Sequence, residues 1–168
     1  FTLPLVDLIL PAALQHGDVV GRHMTAADID QLTLWRLAYN HEALGDPADD
    51  AGLAQARQEI ARAHAEGNTW VLEAAGKLVA MSSFNAAIAE AVQVGGVYTP
   101  PALRGRGYGR AVVAASLHAA QAEGVQRAIL FTDDQNSAAQ SAYHALGFQR
   151  VDNWGLVLLK DPVGPTSN

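Results

Sequence analysis

The chain has 168 residues, 49% of them hydrophobic and 17% charged, which sets it at the size of one folded domain and apart from disordered segments. Its formal net charge of −6 argues against nucleic acid as the main partner, and the absence of cysteine excludes disulfides, thiolate metal sites and a Cys nucleophile within the sequence. No apolar run reaches the roughly 18 residues that span a bilayer, so no membrane partner and a cytoplasmic location are expected.

Leu3 to Leu10 read as a strand that Pro11 ends. Pro4, Asp7 and the lack of a basic leader set this start apart from a signal peptide. Residues 1–20 are expected to form an N-terminal strand or arm, and the Phe at position 1 suggests a trimmed chain or part of a longer one. Thr25-Ala26-Ala27-Asp28 has the form of a capped helix start, with an acid three residues after the Thr. Ile29, Leu32, Leu34, Trp35, Leu37 and Ala38 continue that helix, and Gly45-Asp46-Pro47 ends it. Asp49 and Asp50 precede an Ala-rich helix, Gly52 to Glu66, which Gly67 terminates.

The period then changes. Thr69 to Glu73 and Lys77 to Phe84 read as two strands joined by a hairpin at Ala75-Gly76. Ala91 to Thr99 is a third strand, whose Gly95-Gly96 pair signals a bulge or a close backbone approach by a ligand. Pro100-Pro101 ends it. A helix is expected over Tyr108 to Glu123, a buried strand over Arg127 to Thr132 and a helix over Ser137 to Leu146, closed by Gly147. Phe148 to Val151 and Trp154 to Lys160 read as a terminal pair of strands. The pattern predicts an α/β fold with a mixed sheet, one domain over residues 1–160, and a loose tail over 161–168.

The most informative stretch is Arg104-Gly105-Arg106-Gly107-Tyr108-Gly109-Arg110, which runs straight into a helix. Its alternate glycines permit tight turning and close approach to a ligand. The unpaired N–H groups and positive dipole end of the helix face the same spot, which favours phosphate or pyrophosphate. Arg104, Arg106 and Arg110 add positive charge. The histidines show no paired ligand spacing, so no metal is expected.

Taken with Asn136, Ala139, Tyr143, Gly147 and Phe148 downstream, this loop resembles the GNAT superfamily of N-acetyltransferases, and most closely the branch of the FR-type GNAT domains. Arg104, Gly107 and Gly109 match the family's Gln/Arg-x-x-Gly-x-Gly/Ala pattern, and the likeness runs from about Trp70 to Val151. The resemblance implies a mixed central sheet flanked by helices with two splayed parallel strands. It implies acetyl-CoA as cosubstrate and a primary amine of a small molecule, amino acid or peptide as acceptor, attacked directly in a ternary complex. Val97, Tyr98 and Thr99 would pair with the pantetheine arm, with an amide near Val97 or Tyr98 polarising the thioester carbonyl. Gly105, Arg106, Gly107, Tyr108, Gly109 and Arg110 would hold the pyrophosphate together with Arg104. Asn136 would contact the cofactor or fix the loop before its helix, and Tyr143 would protonate the departing thiolate.

The family habit of dimerising carries over as an expectation with no interface assigned. A Glu often found five residues before the Asn is replaced here by Phe131, so the base is read from other positions: Glu42 first, then Glu73 and Glu90, with His41 and Tyr98 behind them. Trp35, Tyr39, His41, Glu42 and Phe84 are candidate acceptor walls. Plainer readings compete. The glycines suit a simple turn, Tyr143 a half-buried helix tyrosine, and Asn136 a pure helix cap. A Rossmann-type oxidoreductase is disfavoured by the Gly-x-Gly-x-Gly spacing and by the elements that precede it. A non-catalytic acyl-CoA sensor remains a second class.

Overall fold

The computed structural model describes residues 1–152. Thr25 opens the first long helix, its N–H donating to Asp28 Oδ2 at 2.7 Å. A short 3-10 turn over Ala26–Asp28 leads into helix α2, Ile29–Leu44, which stops at Gly45 in the left-handed region. The Asp49 side chain accepts from the Gly52 N–H and caps helix α3, Asp50–Glu66, which ends on left-handed Gly67. Both stop signals act where the sequence placed them.

Strands β3 (Thr69–Ala74) and β4 (Lys77–Ala87) form the hairpin. Its turn residues Ala75 and Gly76 both have positive φ, as a two-residue turn of the primed type requires. Strand β5 is Ala91–Tyr98, helix α4 is Tyr108–Ala122, strand β6 is Arg127–Leu130 and helix α5 is Ser137–His144. The chain's start differs from the single strand expected over Leu3 to Leu10. Strand β1 covers only Thr2–Pro4, a 3-10 turn takes Leu5–Asp7, a short helix α1 takes Ala12–Gln15, and a further strand β2 covers Val19–His23. Pro4 supplies no N–H to extend a ladder. Leu5 is instead buried in the core, and its carbonyl receives Gln121 Nε2.

The six strands form one sheet in the order β1-β6-β5-β4-β3-β2. Every pairing is antiparallel except β5 with β6. The expected strand over Phe148 to Val151 reduces to one bridge, Thr2 opposite Gln149; the expected strand over Trp154 to Lys160 and the tail lie outside the described residues.

The sheet separates two cores. On one face α4 covers Trp70, Leu72, Val92 and Val94, and Tyr143, Leu146 and Phe148 join that cluster. On the other, Leu32, Trp35 and Ile60 of α2 and α3 close over Val71, Met81 and Tyr98. Strand β5 contributes to both. Val92 and Val94 face α4, yet Tyr98, of the same parity, faces α2. The register between β4 and β5 shifts between Met81 and Ser83, and Gly96 opposite that shift has φ +57°. The extra residue reverses the side-chain phase. The glycine pair is therefore a bulge, and the groups lying against it belong to the protein: Asn85 against Gly95 and Arg36 against Gly96.

Candidate active site

Strands β5 and β6 pair from Ala91 with Arg127 as far as Val94 with Leu130, and there β6 ends. Beyond that point the β6-facing edge of Gly95 to Tyr98 has no strand opposite it among the described residues. The bulge that turns Tyr98 toward α2 lies in this same segment. The sheet is thus parted at its parallel pair, leaving a backbone edge to which an extended ligand can add.

Helix α4 starts at the end of that edge. Gly107, its N-cap, has φ +79°, a conformation costly for any residue with a Cβ. Gly109 lies against Thr99, where an added Cβ would sit 3.4 Å from Oγ1. The first backbone bond of the helix runs from the Ala111 N–H to the Gly107 carbonyl, and the N–H groups of residues 105–110 have no partner among the described residues. Arg110 Nε is buried and also lacks one. Six amides and an unsatisfied guanidinium donor at a helix N-terminus suit a diphosphate. This donor set fits the phosphate end of a coenzyme A ester.

Arg104 does not join it. Its Nε donates to the Thr99 carbonyl at 2.9 Å, its Nη2 meets Glu42 Oε2 at 2.5 Å, and its guanidinium stands 5.7 Å from the Tyr98 ring centre. The Tyr98 hydroxyl donates to Glu42 Oε1 at 3.3 Å. Burial first, and then the Glu42 charge, raise the Tyr98 phenol above its ordinary value. Glu42, near the C-terminal end of α2, is thereby held at the end of β5 by two partners.

Asn136 caps α5, its Oδ1 accepting from the Ala139 N–H at 3.0 Å. Tyr143 follows seven residues on, about two helical turns, and so lies on the same side of α5. It is 9% exposed and packs against the Phe1 and Phe148 rings. Its hydroxyl makes no hydrogen bond among the described residues. Burial, with Tyr39 of α2 adding to it, pushes the phenol up to about 12, so the hydroxyl keeps its proton at any working pH.

The other base candidates lie elsewhere. Glu73 binds Arg22 at 2.6 Å, within a cluster that also holds Asp28. Glu90 sits in the turn before β5, at the opposite end from Tyr98, about 26 Å along the strand at ~3.3 Å per residue. His41 is exposed, with Nδ1 2.9 Å from the Asp46 carbonyl. Of the candidate walls, Trp35 is buried 6.2 Å from the Tyr98 ring, while Phe84 packs at a tilt against Trp70, ring centres 4.5 Å apart.

Sequence reasoning passed over Arg36. It sits between Trp35 and Leu37 on α2, its side chain is 13% exposed, and it lies over Gly96. No periodicity marks it, because a helix places a snorkelling arginine on a half-buried face as readily as a leucine. Among the described residues no three His, Cys, Asp or Glu side chains converge as a metal site, and no helix is long and apolar enough to cross a membrane.

A sheet parted at one parallel pair, with a glycine-rich helix start beside the opening, defines an acyl-CoA N-acyltransferase fold. The chain belongs to the acetyltransferase (GNAT) family, whose model matches residues 29–148. It is 37% identical over 76 residues to the mycothiol acetyltransferase of Renibacterium salmoninarum, a match taking in 45% of this chain and only 22% of that relative's length. Among solved structures it is similar to a predicted acetyltransferase of Clostridium acetobutylicum solved with acetyl-CoA (17% identity, TM-score 0.63, covering 83% of this chain and 96% of that one). It is also similar to a ribosomal-protein-alanine N-acetyltransferase of Brucella melitensis (22% identity, TM-score 0.65, covering 79% and 86%). At such identities these structures establish the shared fold.

Proposed function

We propose that the protein moves the acetyl group of acetyl-CoA to the nitrogen of a primary amine, within a ternary complex and in the cytoplasm. The observation that carries this reading is the β5 edge from Gly95 to Tyr98, open among the described residues, leading directly to the amides of residues 105–110, which have no partner among them. Acetyl-CoA supplies an acyl carbon activated as a thioester.

The protein's own groups do the rest. Amides of residues 105–110, with Arg106 and Arg110, hold the diphosphate. The β5 edge at Val97 to Thr99 aligns the pantetheine arm as an added strand, and an amide near Val97 or Tyr98 donates to the carbonyl oxygen as negative charge grows there. The amine must be neutral to attack. Its nitrogen forms the new bond to the acyl carbon, the carbon–sulfur bond breaks, and the electron pair leaves on sulfur. Tyr143 supplies a hydrogen bond or proton to that sulfur. Glu42, directly or through water, takes the proton the amine loses. Much of the acceleration is positional, since both reactants are held together.

The test is a thermal shift with acetyl-CoA, followed by thiol release over a panel of amines. A ligand that binds only the folded state at 100 times its Kd stabilises by about 2.7 kcal/mol. No shift at millimolar acetyl-CoA would remove the reading. A shift with no thiol released by any amine would favour a CoA-binding sensor instead.

A further inference from the structure

A second depression lies on the α2–α3 face of the sheet. It has a volume of ≈ 460 Å³ and is lined by Arg36, Glu59, Arg62 and Glu66 from the helices and by Ser83 and Asn85 from β4. One end of it is the Arg36 guanidinium, whose Nη2 lies 2.9 Å from the point where a Cβ on Gly96 would sit. Gly96 is part of the β5 segment that has no partner on its β6 side among the described residues, so this cleft reaches the parted strand from the face opposite α4.

Arg36 is unusual for a buried cation. Its Nε is buried without a hydrogen-bond partner, and its nearest counter-charge, Glu59 Oε2, is 3.8 Å away. None of its five N–H groups donates to another described residue, although buried donors are almost always satisfied. Glu59 is meanwhile occupied by Asn40 Nδ2 at 3.2 Å and by Gln55 Nε2 at 2.9 Å. Arg62 adds a second positive charge from the exposed side of α3. The guanidinium is packed against the Tyr39 ring, 5.4 Å from its centre, so its direction is fixed. Tyr39 itself packs with the α2–α3 core, alongside Trp35 and Tyr98. A single helix thus presents, toward the cleft, a guanidinium that makes no hydrogen bond among the described residues and the aromatic ring it packs on.

We infer that the acceptor amine also carries a carboxylate, which Arg36 holds with Arg62 while the amino group reaches the parted strand. This rests on the acetyl-transfer reading above. A planar guanidinium with unused donors matches a carboxylate in two parallel hydrogen bonds. Two glutamates in the same cleft oppose a dianionic phosphate, and two arginines oppose a polycation. The fitting class is an amino acid or a short peptide with a free carboxyl group.

The experiment compares kcat/KM for matched pairs: α-amino acids, ω-amino acids of increasing length and dipeptides, each against its carboxamide. The carboxylate member is expected to exceed its amide about tenfold or more in the preferred pair. Arg36→Gln should abolish that ratio by raising KM for the acid while the amide changes less than about twofold. The exposed Arg62→Gln should narrow the ratio without loss of folding, and Arg36→Lys should leave a reduced preference. Equal rates for acid and amide in the unaltered protein overturn the inference. So does an Arg36→Gln effect that strikes both members alike, which marks a structural role. Failure of acetyl-CoA to bind overturns the acetyl-transfer reading itself. Binding without acceleration by any amine in the panel overturns the carboxylate inference and leaves the cofactor reading standing.

Discussion

The Arg104 guanidinium reaches from the glycine loop to the end of α2, where its Nη2 meets Glu42 Oε2 at 2.5 Å. The loop expected to serve phosphate thus spends its first arginine on the residue expected to serve as base. The pair is about half exposed, which limits its contribution to stability to less than about 1 kcal/mol. Its value is positional, since it holds a carboxylate beside Tyr98 at the end of the parted strand. Glu42→Gln should lower kcat about ten- to a hundredfold at neutral pH, with little change in thermal stability. A pH–rate profile checks the assignment: an acid limb that survives the substitution removes Glu42 as the base.

Tyr143 offers a sharper test. Tyr143 is nearly buried, its hydroxyl makes no hydrogen bond among the described residues, and burial pushes the phenol up to about 12, which keeps it protonated. Tyr143→Phe keeps the ring contacts with Phe1 and Phe148 and deletes only the donor. Folding stability should be unchanged or slightly raised. Turnover should fall about ten- to a hundredfold while acetyl-CoA affinity stays within about twofold. Unchanged kcat in steady-state assays would leave Tyr143 as a packing residue.

The glycine loop separates two roles. Gly107 has φ +79°, so Gly107→Ala should cost about 1–2 kcal/mol and weaken acetyl-CoA binding by reorienting the amides. Gly109 is not in that region, and a methyl there would meet Thr99 Oγ1 at 3.4 Å. Gly109→Ala should fold almost normally. Paired denaturation and CoA-titration curves check this; equal losses in both variants would contradict it.

A third group governs acid stability. Asp28 is buried, binds Arg22 at 2.7 Å and accepts from the Thr25 N–H and hydroxyl. The Arg22 hydrogen bond leads in lowering its pKa to about 2, from an ordinary 3.8. A depressed carboxylate stabilises the fold above its unfolded pKa, and that stability is lost as pH falls through the folded value. About 2 kcal/mol should therefore disappear between roughly pH 4 and pH 2. Asp28→Asn should remove a similar amount at pH 7 and flatten the acid limb of a denaturation-versus-pH series.

The features legible in the sequence are those fixed by neighbouring residues. The Thr25–Asp28 start, the Asp49 cap, the Gly45 and Gly67 stops, the Ala75-Gly76 turn and the glycine-rich entry to α4 each depend on contacts within a few residues. The order of Gly107, Gly109, Asn136 and Tyr143 also named the family, because a ligand-holding loop and the helix after it keep their spacing. The short strand β2 escaped notice. Val19 to His23 has Gly21 at its centre, where a Cβ would lie 2.2 Å from Ala115 Cβ; only the passage of α4 overhead explains that choice.

The sequence by itself determined the turns, caps, helix stops and the likeness to the acetyltransferases, since these are written in local backbone preference and fixed spacing. Tertiary structure alone decided that Arg104 would face Glu42, 62 residues away, and that Arg36 would lie over Gly96 with its Nε buried and without a hydrogen bond among the described residues. It also decided that the ladder between β5 and β6 would stop at Val94 and Leu130. Those relations join segments distant in the chain, and they exist only once the two cores have closed on either side of one sheet.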